Sequence, residues 1–284
     1  MVYFPILGAL ALASGTIMSK LALTKKKINV KLFHTSAFLG AVITMIPLLY
    51  FFWRLDSQAF ELKNILIFAL MILFSMFANF ALFYSMKKEK VSNIEPAIVL
   101  EPIFVILLAI IFSYIFGEAL FERNLKIIIP ALIAGSALVF SHIKKHHIIF
   151  SKYFLLALIA SFLFALELVT TKLILDYYSP ISFYFLRCLI IFLISFAIFK
   201  PKLTKLNKKT SLQIFLIGAL WVLYRIIVYY GYIQLGVIFT TLLLMLAPVF
   251  VFFFAWKFLK EKISWKNILA TAIIVGCVLY GVLN

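Results

Sequence analysis

Polar residues along this chain come in short clusters, and the stretches between them are almost wholly apolar. The apolar runs are about 20 residues long, the length a helix needs to cross a ~30 Å hydrocarbon core. Ten such spans are predicted, at about 3–23, 32–53, 64–86, 92–116, 124–142, 152–174, 180–199, 211–234, 237–259 and 265–283. The longest polar connection is "KPKLTKLNKKTS", residues 200–211, so no room remains for a soluble domain or a low-complexity tail. Helix is the required form for each span, because lipid offers no water to satisfy an open backbone. The pattern therefore predicts an all-α integral membrane protein.

Composition agrees: 65% of the 284 residues are hydrophobic and only 13% charged. Soluble domains run near half apolar and a quarter charged. The net charge of +17 would suggest a nucleic-acid partner in a soluble protein. Here the lysines crowd short loops, as beside an anionic leaflet, and no nucleic-acid motif accompanies them. The partners expected are the lipid bilayer, a small-molecule substrate and, as a candidate, a coupling proton. Cys188 and Cys277 lie in different halves and suggest neither a disulfide framework nor a metal site, and no cofactor is expected. "MVYFPILGAL" lacks a basic leader and reads as the first span, not a cleaved signal.

Spans three and four can be laid on spans eight and nine at a constant offset of 146. "ANFALFYSMKKEKVSNIEPAIVLEPIF" then faces "YRIIVYYGYIQLGVIFTTLLLMLAPVF", pairing Asn79 with Arg225, Tyr84 with Tyr230, Val91 with Val237, Leu100 with Leu246 and Pro102 with Pro248. Lys20 matches Lys172, and Gly135 matches Gly276. Together these predict a duplication into 1–146 and 147–284. Five spans per repeat make the two halves inverted, the arrangement that underlies alternating access. Odd-numbered loops carry 19 lysines and arginines against 5 in even-numbered loops. The positive-inside rule then puts odd loops in the cytoplasm and both termini outside the plasma (inner) membrane.

Ten spans split five and five resemble the drug/metabolite transporter superfamily, and its EamA type in particular. The residues that carry the resemblance are "LEPIF" and "LAPVF" in spans four and nine, the acidic "FGEAL" and "LKEKIS" after them, and the glycines of "LIAGSALVF" and "IIVGCVLY". It implies a secondary transporter, usually an exporter or exchanger of small metabolites, with a cavity between the halves. Relatives commonly keep both termini in the cytoplasm; the charge count of this chain points the other way and is followed here.

Polar residues inside the spans are the candidate site. Ser92 and Glu95 have the spacing of a capping box, so Glu95 reads as a helix start. Glu101 lies near mid-membrane, where an ionisable group costs at least ~2.5 kcal/mol. Pro102 follows it and removes a backbone donor, and Pro248 holds the equivalent place; both read as hinges. Arg225 in span eight is the expected partner of Glu101. Trp221, Arg225, Tyr229 and Tyr232 share one helix face, although Tyr232 also suits an interfacial aromatic belt. Asn79, with Ser75 a turn before it, occupies the matching face in span three, and Tyr84 and Tyr230 complete the candidate set. Glu167 could bind an amine, carry a proton or pair with Arg187, which could itself be only a brace. Lys20 and Lys172 can snorkel to the interface, His34 lies at a span start, and "HIKKHH" reads as a solvated loop.

The leading expectation is a secondary transporter of a small polar metabolite, possibly an amino acid. No nucleotide-binding motif of the G-x-x-x-x-G-K-[ST] kind is present to couple it to ATP. An intramembrane enzyme acting on lipid would need a nucleophile with its base, or metal ligands, at mid-depth, and the four histidines all lie at interfaces or in a loop. A non-transporting scaffold is the third reading, and buried charge in an inverted repeat counts against it.

Overall fold

The structure is a computed structural model, and it describes residues 3–24, 28–89, 91–117, 121, 123–142, 151–250 and 265–283. Eleven helices are numbered here: α1 (Tyr3–Leu23), α2 (Val30–Phe52), α3 (Leu62–Lys88), α4 (Val91–Ile98), α5 (Glu101–Phe116), α6 (Leu125–His142), α7 (Lys152–Lys172), α8 (Pro180–Phe199), α9 (Lys208–Gln234), α10 (Val237–Leu244) and α11 (Trp265–Leu283). Residues 246–250 continue helically beyond α10. Eight helices are long and apolar enough to cross a bilayer, and shorter apolar helices cover the fifth and ninth predicted spans. Apolar side chains such as Ile43, Leu66, Ile111, Ile159 and Leu279 stay exposed on the outer surface, where a bilayer replaces water as solvent. The fold is that of an integral membrane protein of two inverted five-helix repeats.

Helix starts follow from local chemistry. Asn29 accepts from the Leu32 amide, Ser151 from Phe154, Ser179 from Ser182 and Asn207 from Thr210, each satisfying an orphan donor of a first turn. Pro180 follows the Ser179 cap, where its missing N–H costs nothing. Aromatic side chains gather at the ends: Tyr50, Phe51, Phe52 and Trp53 are exposed where α2 stops, as an interfacial belt requires.

The duplication predicted from residue matches appears in the helix boundaries. α3 and α9 are both 27 residues long, α4 and α10 both 8, and all four starts obey the offset of 146 (62 to 208, 91 to 237). Packing repeats too: α3 lies against α7 and α9 against α1, so each half lends a helix to the other, while α2 with α8 and α6 with α11 also pack across the halves. The symmetry is incomplete, because α2 also packs extensively on α9 whereas its counterpart pair, α8 and α3, touches little. At the α2–α9 crossing the backbones meet. A Cβ on Gly218 would lie 2.7 Å from the Ala41 nitrogen and 2.8 Å from the Gly40 carbonyl carbon.

The reading of the fourth span over 92–116 as one helix bent at Pro102 is corrected. The helix breaks at Val99–Leu100, and Pro102 lies in the first turn of α5 instead of kinking a continuous rod. A first turn is the one place where proline needs no donor partner, so a break ahead of Pro102 costs less than a bend through it. The other repeat breaks at Met245, ahead of Pro248, and the part of the ninth span beyond residue 250 lies outside the described residues. So do Glu118, Glu261, His146, His147 and the side chains of Ser92, Glu95 and His142.

Candidate functional site

Four helices converge on one buried polar cluster. Glu167, on α7, is fully buried, as nearly are Arg187 on α8 and Arg225 on α9. Glu167 Oε2 lies 3.1 Å from Arg225 Nη2 and 3.4 Å from Arg187 Nη2. Its other oxygen accepts from the Tyr229 hydroxyl at 3.2 Å, and that hydroxyl accepts from Arg187 Nη1 at 2.9 Å. Arg187 also donates through Nε to Ser75 Oγ at 3.2 Å, which brings in α3. Asn79 donates to the Ser75 carbonyl at 2.8 Å, one turn back on its own helix. Phe164 and Tyr224 place ring faces 5.9 and 5.5 Å from the Arg225 guanidinium. Two guanidinium cations share one carboxylate, so the cluster holds one positive charge over.

A cavity of about 220 Å³ adjoins this cluster. Arg225, Arg187, Asn79, Glu101, Trp221 and both prolines line it, with Tyr184, Tyr224 and Tyr232; Phe38, Phe83, Met86 and Leu138 make its wall largely apolar. Both helix breaks border it, through Ile98, Val99 and Met245. One Arg225 nitrogen, Nη1, is buried with no hydrogen-bond partner among the described residues. Glu101 stands in the first turn of α5, partly exposed to the cavity, and makes no hydrogen bond or ion pair with any described residue. An unsatisfied buried donor and a bare carboxylate beside one cavity are costly unless something else engages them.

Of the residues predicted from sequence, Arg225, Glu101, Asn79, Trp221, Pro102 and Pro248 meet at this cavity. Four expectations are corrected. The ion-pair partner of Arg225 is Glu167, not Glu101, because α7 carries its carboxylate deeper into the bundle than α5 does. Glu167 and Tyr229 form no part of the cavity wall: Glu167 pairs with Arg187 and Arg225, and the Tyr229 hydroxyl bridges Arg187 and Glu167. Tyr84 packs on Tyr153 and Tyr230 on Phe4, with ring centroids 6.1 Å apart in each pair, and neither lines the cavity. Tyr232, read also as an interfacial belt residue, is 1% exposed and lines it.

Tyr184 and Tyr224, absent from the predicted site, belong to the cavity wall, as does Arg187, which was read as a partner of Glu167 or a brace and does pair with it. The i, i+3 spacing of Tyr184 and Arg187 was the available signal, and the guanidinium sits 5.2 Å from that ring. His34, expected at a span start, is fully buried, with Nδ1 3.2 Å from Ser195 Oγ. Lys20 reaches the Met86 and Glu89 carbonyls at 2.6 and 2.9 Å, satisfying the end of α3. Lys172 instead pairs with Asp176 at 3.4 Å.

Two inverted repeats thus surround a largely apolar cavity with a few charged side chains in its wall. The model of the EamA-like transporter family matches residues 1–141 and 151–282, and the chain belongs to that family. No curated protein matches it in sequence. Among solved structures, a protein known by its crystal structure superposes with a TM-score of 0.71 over 99% of this chain and 96% of its own, at 15% identity. That likeness is one of fold.

Proposed function

We propose that this protein is a secondary transporter that carries a small zwitterion with an apolar side chain, an amino acid, by alternating access between its two halves. The observation that carries the reading is a cavity lined both by Arg225, whose Nη1 has no hydrogen-bond partner among the described residues, and by Glu101, whose carboxylate makes no hydrogen bond or ion pair with them. A substrate carboxylate supplies the acceptor Arg225 lacks, and an ammonium supplies a cation for Glu101. The side chain then lies among Phe38, Phe83 and Met86, where burial contributes affinity. Pro102 and Pro248 serve as hinges at the two helix breaks, so that one half rocks against the other around the site. In this reading the lysine-rich loops face the cytoplasm of the cell, and transport runs as export or exchange.

Counterflow in proteoliposomes loaded with one amino acid and challenged with labelled ones from a panel tests it. Wild type is expected to accumulate label for at least one apolar amino acid. Arg225→Ala and Glu101→Gln should each lose 10-fold or more in that rate, the cost of about 1.4 kcal/mol or above. Normal counterflow in both variants would move the binding site elsewhere.

A further inference from the structure

We infer that Glu101 is a proton site whose occupancy follows the charge of the bound substrate: a carboxylate arriving without an ammonium brings a proton with it, and a zwitterion does not. This rests on the reading of the cavity as a carboxylate site. Its basis is the distribution of charge on the two walls. On one wall stand Arg187 and Arg225, and Glu167 behind them pairs with both and leaves one positive charge uncompensated. On the other, Glu101 lines the cavity and makes no hydrogen bond or ion pair with any described residue. The groups in electrostatic reach of Glu101 are Arg225 and Tyr224 from α9 and Glu167 from α7. The segments of α6 and α10 that pack on α5 contribute only uncharged residues to the cavity, Leu138, Thr241 and Leu244 among them.

In the empty cavity the ionised Glu101 balances the surplus positive charge of the cluster. A zwitterion adds no net charge, so its carboxylate goes to Arg225, its ammonium to Glu101, and the balance holds. A monocarboxylate neutralises the surplus at Arg225 and strands Glu101 as an unpaired anion in a water-poor site. Burying such an ion costs several kcal/mol, whereas the neutral acid escapes most of that cost. The stranded carboxylate therefore takes a proton from solvent, forming the O–H of the carboxylic acid with nothing else exchanged. Glu167 is already committed to Arg187 and Arg225. One protein would thus move a zwitterion without a proton and the corresponding acid with one.

Isothermal titration calorimetry of the purified full chain separates these cases, using L-leucine and its desamino analogue 4-methylpentanoate in buffers of different ionisation enthalpy. Leucine binding should release the same heat in every buffer. The analogue should show a buffer-dependent heat equivalent to about one proton taken up per molecule bound. Glu101→Gln, a mimic of the protonated acid, should bind the analogue with no proton uptake and bind leucine at least 10-fold more weakly. Heat from neither compound overturns the carboxylate-site reading, and this proposal with it. Binding of both without buffer dependence, binding of leucine alone, or proton uptake that survives in Glu101→Gln overturns the proposal and leaves the carboxylate site standing.

Discussion

At the scale of single residues, the cost of charge in a low-dielectric interior explains which side chains are committed and which are free. Glu167 is committed, because it is the sole anion within ion-pair range of two buried cations among the described residues. Glu167→Gln should lower stability by about 3–5 kcal/mol, the usual cost of removing one partner from a buried pair. A thermal unfolding scan in detergent measures it, with Glu167→Asp expected to recover part of the loss. Sequence alone marked Arg225, Glu101 and Asn79 correctly as inward-facing, since each is too polar for lipid. It paired Arg225 with Glu101 and offered Glu167 only to Arg187, whereas Glu167 faces both arginines. Helix rotation and tilt decided that, and neither is written in spacing. Tyr84 and Tyr230 went astray for the same reason: a repeat match fixes equivalence between halves, not which way a side chain faces.

At the scale of helices, close approach of α2 and α9 depends on Gly40 and Gly218 having no side chains. The atoms a Gly218 Cβ would strike are backbone, which cannot swing aside. Gly218→Ala is therefore expected to push the helices apart at a cost of about 1–3 kcal/mol, read as a lower unfolding midpoint. Gly40→Ala should be milder, since its Cβ would meet Phe215 Cα at 3.3 Å. The two helix breaks were only half legible. Pro102 and Pro248 announced a disturbance, but proline serves equally in a kink or at a helix start, and the surroundings of each span settled the matter.

At the scale of the whole molecule, class and repeat were legible because both rest on long-range regularities: apolar runs of bilayer length and one constant offset. Orientation rests on the distribution of lysine and arginine alone. Single cysteines at Ser57 and Thr204, introduced with Cys188 and Cys277 replaced by alanine, test it in intact cells. An impermeant maleimide is expected to label position 57 from outside and position 204 only after permeabilisation. The opposite pattern would invert the assignment of cytoplasmic loops.

The identical lengths of α3 with α9 and of α4 with α10 carry a consequence for how this chain can vary. Inserting one residue into a helix turns everything beyond it by about 100° and advances it by about 1.5 Å. Between Leu62 and Ile98 such a change would swing Asn79 or the α4 end out of register with the half that faces it. Substitutions there alter one contact, whereas a one-residue insertion or deletion changes the phase of the whole segment. In this part of the protein, length itself is a functional quantity, and drift should proceed by exchange of residues, never by their gain or loss.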